Sequence, residues 1–191
     1  AKHDVPNESF LVNLDAANGV ANAFVYLSKA PKGYVSTDAP EEALEMDQKG
    51  CVFLPHALVV RTGQTVLIKS DDEVPHNVHT FPTFQESFNQ ICQPKERDGL
   101  KLVYKNPERQ PVRVQCDIHP WMLSWHLPVD HPFAAVSDSS GNFRIEGLPY
   151  EYIVDDYGSA LCGTETLDIY KPNLAGIGNW GARNLPIQII E

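Results

Sequence analysis

A chain of 191 residues, 42% hydrophobic and 21% charged, carries enough apolar surface for one packed core, which argues against disorder. Its 25 acidic against 15 basic residues leave a formal net charge of -10, which repels phosphate backbones and anionic lipid heads, so neither nucleic acid nor a membrane surface is expected as a main partner. No apolar run approaches the roughly 20 residues that a membrane helix needs, and the opening on Ala1 is what signal-peptide cleavage leaves, so the expectation is an exported chain, periplasmic or secreted, without membrane insertion.

Fifteen prolines and 12 glycines are spread along the chain, and the stretches between them rarely reach the eight residues of a convincing helix, which predicts a β-rich fold. The first β-branched run is Ala23–Leu27 (AFVYL). Asp38-Ala39-Pro40-Glu41-Glu42 then offers a capping Asp, an early Pro and first-turn acids ahead of Ala43-Leu44-Glu45, which predicts one short helix. Val52–Val60 (VFLPHALVV) and Thr65–Lys69 (TVLIK) read as strands, joined as a hairpin through Arg61-Thr62-Gly63-Gln64. Leu100–Tyr104, Pro111–Cys116, Ala134–Ser137 and Asn142–Glu146 follow, the last two joined by a second hairpin turn at Ser139-Ser140-Gly141-Asn142, and Leu185–Ile190 closes the series. Short strands at this spacing point to a sandwich or a Greek-key barrel, and no repeat of fixed period is visible.

Five of the seven histidines, His76, His79, His119, His126 and His131, fall between Pro75 and Pro132, together with two of the four cysteines and one of the two methionines. The sharpest pattern is Cys116-Asp117-Ile118-His119-Pro120-Trp121-Met122, a C-x2-H-x2-M run. Val112, Val114 and Cys116 share one face of the strand that leads into it, so the valines place the thiol at the top of a core. A turn there can bring a thiolate, an imidazole and a thioether to one point, a soft nitrogen-and-sulfur donor set that suits copper rather than magnesium or calcium. A second imidazole is offered upstream by His76, in the segment Ser70-Asp71-Asp72-Glu73-Val74-Pro75-His76-Asn77-Val78.

PHNV followed by a distal C-x2-H and a Met resembles the cupredoxin, or blue copper, family of plastocyanin and pseudoazurin, over roughly Val52 to Met122. The resemblance implies an all-β Greek-key β-sandwich with long loops and at most one or two short helices. It implies one copper ion, cycling between Cu(I) and Cu(II), with His76, Cys116 and His119 as strong ligands and Met122 as a weak axial one. Asn77 would tie the two ligand loops together, and Trp121 would form a hydrophobic collar limiting water access. The chain departs from plastocyanin-like proteins in placing two residues between His119 and Met122 where they place four, which makes Met122 the least secure ligand. The shorter gap also resembles the end of the binuclear copper loop of cytochrome oxidase, but that loop carries a second Cys that is missing here, so a mononuclear site is expected. The flanks MDQKGCVFLPHALVV and HLPVDHPFAAVSDSSGNFRIEGLP resemble exported bacterial, planctomycete-type, methylamine-utilisation-like cupredoxin proteins with carboxypeptidase-regulatory-like ends. On that reading residues 1–191 form a single domain, with a copper segment at 52–126 flanked by strands at 18–27 and 134–149. Two stacked modules are the alternative, and residues 150–191 form an extension of uncertain fold.

In an extended strand an odd separation points two side chains to opposite faces, so His79 should not share a metal with His76 and reads as a surface or supporting residue. His126 and His131 fit a polar strand position and a turn, and His56 reads as structural. Of the other cysteines, Cys51, Cys92 and Cys162, two should pair in an oxidising compartment. Cys51–Cys92 is the expected bridge, because it would pin the irregular stretch Phe84–Pro94, with Cys162 left free. The function implied is an electron carrier, not an enzyme, whose acidic surface docks a redox partner with a basic docking surface. Two alternatives stay open: a red-copper-like enzyme if Met122 leaves a position vacant, and a module for copper storage, delivery or non-redox recognition.

Overall fold

The computed structural model describes residues 12–13, 19–30, 34–147 and 167–170, and among these every regular element is a β-strand. They fall into two compact units, one of residues 36–130 and one built from the stretches on either side. Candidate strand Leu185–Ile190, Cys162 and the segment Tyr157–Gly181 apart from Leu167–Tyr170 lie outside the described residues.

In the larger unit, β4 (Leu44–Gln48), β5 (Phe53–Leu54), β7 (Thr65–Ile68) and β10 (Leu100–Val103) form a four-stranded sheet in the order β10-β7-β4-β5. A second, five-stranded sheet takes β6 (Ala57–Arg61), β8 (His76–Phe81), β9 (Asn89–Cys92), β11 (Val112–Gln115) and β12 (Leu123–Val129), in the order β6-β12-β11-β8-β9. Met46, Phe53, Val66, Ile68 and Leu102 from the first sheet share one buried cluster with Val60, Val78, Val112 and Val114 from the second, which makes this unit a β-sandwich. Neither sheet closes on itself.

Two sequence expectations are corrected here. Leu44–Gln48 is a strand, not part of a helix: Met46 and Gln48 point inward and are fully buried while Glu45 is exposed, a period of two, and the backbone pairs in parallel with β7. Tertiary pairing overrides the local capping signals of Asp38–Glu42. The turn at Arg61–Gln64 closes with Gln64 N–H donating to the Arg61 carbonyl at 2.9 Å, but it joins no hairpin, because β6 pairs with β12 and β7 with β4 and β10. It carries the chain from one sheet to the other. The run Val52–Val60 crosses likewise, dividing at Pro55, which has no N–H to give a ladder, into β5 in one sheet and β6 in the other.

The smaller unit pairs β1 (Val12–Asn13) with β2 (Gly19–Val20) and sets β3 (Phe24–Leu27) between β13 (Ala134–Val136) and β14 (Leu167–Tyr170), all antiparallel. The turn after β13 forms, with Gly141 N–H donating to the Asp138 carbonyl at 3.0 Å, but among the described residues Asn142–Glu146 takes no strand partner and makes no second hairpin arm.

One buried polar pair of the larger unit lies deep in its core. The Tyr104 hydroxyl and His126 Nδ1 share a hydrogen bond at 3.0 Å, with both side chains almost wholly enclosed. Burial pushes the His126 imidazole down to about 3. The unfolded chain therefore takes up a proton near pH 6.5 that the folded chain refuses, so His126 favours folding above that pH and the benefit drains away as pH falls toward 3. Between pH 6.5 and pH 5 the loss is about 2 kcal/mol. Urea unfolding at pH 7.5 and pH 5 should show it, and His126→Leu should flatten that pH dependence while costing about 1–3 kcal/mol at neutral pH through the unpaired Tyr104 hydroxyl.

Candidate metal centre

Strand β11 buries Val112 and Val114 and ends one residue before Cys116, whose side chain is fully enclosed at the rim of the core. The loop that follows is tight: Met122 N–H donates to the His119 carbonyl at 2.9 Å, and Cys116 N–H donates to the Met122 carbonyl at 3.2 Å. Inside it His119 N–H donates to Cys116 Sγ at 3.3 Å, folding the imidazole back over the thiol. From the neighbouring strand, His76 enters as the first residue of β8, fully buried and in register with Cys92 of β9.

These elements bring His76, Cys116 and His119 together, with their donor atoms all within 4.8 Å of one another. His76 Nδ1 lies 2.9 Å from His119 Nδ1, and His119 Nδ1 lies 3.7 Å from Cys116 Sγ. Ligands each held about 2.0 to 2.3 Å from a single ion stand at most about 4.6 Å apart, so the spacing fits one small ion. Burial opposes ionisation of Cys116, but the bond with His76 and the N–H groups of Asn77, His119 and Ile118 outweigh it and hold the thiol below its usual range. Burial also works against a charge on His76, and Cys116 and Asp72 outweigh it, holding the imidazole above its ordinary value. His119 is lowered, first by burial and then by repulsion from His76. The arrangement sets a thiol whose ionisation is favoured against two imidazoles, a donor set that gives up protons when it takes a soft cation.

Asn77, next to His76, spans the two ligand segments. Its Oδ1 accepts from Asp117 N–H at 2.6 Å, and its Nδ2 donates to Asp117 Oδ2 at 2.9 Å and to Asn89 Oδ1 at 3.0 Å. Trp121 is half exposed, with its ring 5.2 Å from that of His119, and its Nε1 donates to the Cys51 carbonyl at 3.1 Å. Met122 is fully enclosed and belongs to the same buried cluster as Cys116. His79 stands apart from the three donors, paired with Asp117 Oδ2 at 3.0 Å and stacked on Phe81. His126 is buried lower on β12, His131 accepts from Phe133 N–H at 3.3 Å, and His56 is buried, its carbonyl accepting from Trp125 N–H at 2.9 Å.

Two residues at this centre escaped the sequence reading. Asp72 Oδ2 lies 2.9 Å from His76 Nε2, and Cys51, Asp72 and His76 form a second group whose donor atoms lie within 4.8 Å of one another. The expected Cys51–Cys92 bridge is absent, and both are free thiols along with Cys116. Cys51 sits in the turn between β4 and β5 beside Asp72, whereas Cys92 ends β9 and its thiol meets the Gln48 side chain. Burial raises both thiols, so neither is poised as a thiolate.

No protein-family model matches this sequence, and no curated protein does. Among solved structures the chain is similar to a copper-containing nitrite reductase from Thermus scotoductus SA-01, at 20% identity over 51% of this chain and 25% of that one, with a TM-score of 0.42. It thus spans about a quarter of that enzyme's chain. It is also similar to a purple cupredoxin from Nitrosopumilus maritimus, at 20% identity over 45% of this chain and 99% of that one, with a TM-score of 0.38. Amicyanin from Paracoccus versutus shares 16% identity over 55% of this chain and 97% of its own, with a TM-score of 0.40.

The thiol assignment has a direct check. Alkylation of the unreduced, denatured protein followed by mass spectrometry should label Cys51 and Cys92, and a peptide joining the two would contradict the geometry.

Proposed function

We propose that this chain holds one copper ion between His76, Cys116 and His119 and serves as a one-electron carrier of cupredoxin type. The convergence of two imidazoles and one thiol at the rim of a β-sandwich supports this reading. Copper bound there would supply a one-electron couple that thiolate and imidazole ligands keep accessible in both oxidation states. The rest is the work of the chain. Asn77 holds the Cys116–Met122 loop against β8, and the enclosed core beneath Cys116 keeps the donors from spreading when charge changes. His119 is only partly buried beside the exposed Trp121 ring, which offers an edge where an electron can leave.

Met122 would complete the proposed ligand set as a weak thioether, a role supported by its enclosure in the cluster that includes Cys116. With that position filled no vacancy is left for a substrate, which favours a carrier over a catalyst. The net charge of -10 favours a redox partner with a basic docking surface, held weakly and released by salt. No helix among the described residues is long and apolar enough to cross a membrane. The periplasmic or secreted location implied by the sequence resemblance is part of the same proposal, and fractionation of native cells tests it.

Copper-loaded wild type should show intense visible absorption with one metal ion per chain. Cys116→Ser should abolish that colour, since a hydroxyl cannot replace the soft thiolate bond, whereas His79→Ala should leave it nearly intact. Bleaching by His79→Ala as complete as that by His76→Ala would overturn the ligand assignment.

Met122 has its own test in voltammetry. Met122→Leu should retain colour with a raised reduction potential, because a sulfur donor that favours the oxidised ion is lost. An unchanged potential, together with azide binding to wild-type copper, would remove Met122 from the ligand set and turn the reading toward an open, catalytic site.

A further inference from the structure

An imidazole can present either nitrogen to a metal, and what its other nitrogen binds decides which. The His76 ring is fully buried, with Nδ1 turned to His119 and Nε2 set 2.9 Å from Asp72 Oδ2. A carboxylate only accepts, so this contact is a bond donated by Nε2–H, which leaves the Nδ1 lone pair facing the donor cluster. Asp72 is itself fixed. Its Oδ1 accepts from Gly50 N–H at 2.6 Å and its Oδ2 accepts from Cys51 N–H at 2.9 Å, two successive amides that converge on one carboxyl group.

That convergence has a backbone cause. Gly50 and Cys51 both adopt left-handed conformations, with φ of 65° and 58°. Successive residues so placed turn their N–H groups to one side and form an anion-binding concavity. For a cysteine the conformation is uncommon and persists where its surroundings impose it. Here they do. The Cys51 amide is taken by Asp72 and its carbonyl by Trp121 Nε1, from the very loop that carries Cys116 and His119. One turn between β4 and β5 therefore holds both ligand segments, gripping His76 through Asp72 and the His119 loop through Trp121.

We propose that Asp72, seated on the Gly50–Cys51 turn, is a positioning residue that fixes His76 with Nε2 protonated and Nδ1 presented to the metal. The inference rests on the copper reading for its electronic consequence only. A carboxylate on the far nitrogen makes the ring a stronger donor, which favours Cu(II) over Cu(I) and lowers the reduction potential. The Cys51–Asp72–His76 group also has the spacing of a metal site. However, the carboxylate oxygens already accept three N–H bonds, and the His76 nitrogen nearest to it is the one donating.

Asp72→Asn and Asp72→Ala separate the parts of this role. Nitrogen-15 NMR of the metal-free protein, at a pH where both rings are neutral, should find His76 protonated at Nε2 in wild type and in Asp72→Asn, whose amide oxygen can still accept. In Asp72→Ala the ring should become a mixture of tautomers. In the copper-loaded proteins Asp72→Asn should lose about tenfold or more in affinity for Cu(II) relative to Cu(I), a potential raised by about 59 mV per tenfold. A lowered thermal midpoint in both variants, with tautomer and potential unchanged, would overturn the proposal and leave Asp72 a turn-former. Binding of two metal ions by wild type, falling to one in Asp72→Asn, would overturn it in favour of a second metal position. If wild type takes no copper the carrier reading fails, while the metal-free NMR comparison still decides for or against Asp72.

Discussion

The centre depends on one side chain that is not a donor. Asn77 reaches from β8 to the loop after β11 and exchanges hydrogen bonds in both directions with Asp117, the residue between Cys116 and the rest of that loop. An Asn can donate and accept at once, so the pairing fixes separation and register together. Its third bond, to Asn89, extends the tie to β9. At about 0.5–1.5 kcal/mol for each such bond, the net gain to stability is modest. The larger effect is geometric: the tie adds to the pairing of β8 with β11 and fixes where the loop after β11 sits against His76. Asp117 also carries His79 on the same carboxyl oxygen, which explains a histidine near the centre that lies outside the donor group.

Electrostatics at the rim follow from placing ionisable groups where water is scarce. Taken singly, burial would neutralise each of them. The groups escape by pairing. Cys116 is held toward thiolate by His76 and three backbone N–H groups, and Asp72 is held toward carboxylate by Cys51, Gly50 and His76, each against the cost of burial. Cys51 and Cys92 have no comparable set of donors and stay protonated. The same physics governs His126 deeper in the core, where the partner is a neutral tyrosine hydroxyl and the imidazole is accordingly kept neutral.

How much of this could be read beforehand depended on whether a signal was local. C-x2-H closes on itself within one turn, and PHNV follows a strand. The structure does bring His76, Cys116 and His119 to one point and does place Asn77 across the loops. Asp72 stands in a run of three acids, Asp71, Asp72 and Glu73, and nothing in such a run says which carboxylate turns inward. Its selection comes from Gly50 and Cys51, some twenty residues away. Strands β8 and β12 are hard to see in the sequence because their buried positions include His76, Asn77, Thr80, Ser124 and His126, polar residues that blur the alternation of a half-buried strand. The stretch Phe84–Pro94 read as irregular, yet its Asn89–Cys92 portion pairs with β8 along four residues.

Loop length joins the fold to the site. With two residues between His119 and Met122, the chain has room for a single turn, and it uses that turn at once, returning from the His119 carbonyl to Met122 N–H and feeding directly into β12. The Met122 carbonyl then bonds Cys116 N–H, so thiol, imidazole and methionine are positioned by one closed backbone circuit rather than by a span that can breathe. A longer gap would let the methionine move without disturbing the histidine. Here any displacement of Met122 pulls on β12 and on the amide of Cys116 together, and the fully enclosed packing around both side chains resists it. The short gap thus sets a fully enclosed Met122 immediately before β12, where packing and the backbone circuit constrain it together.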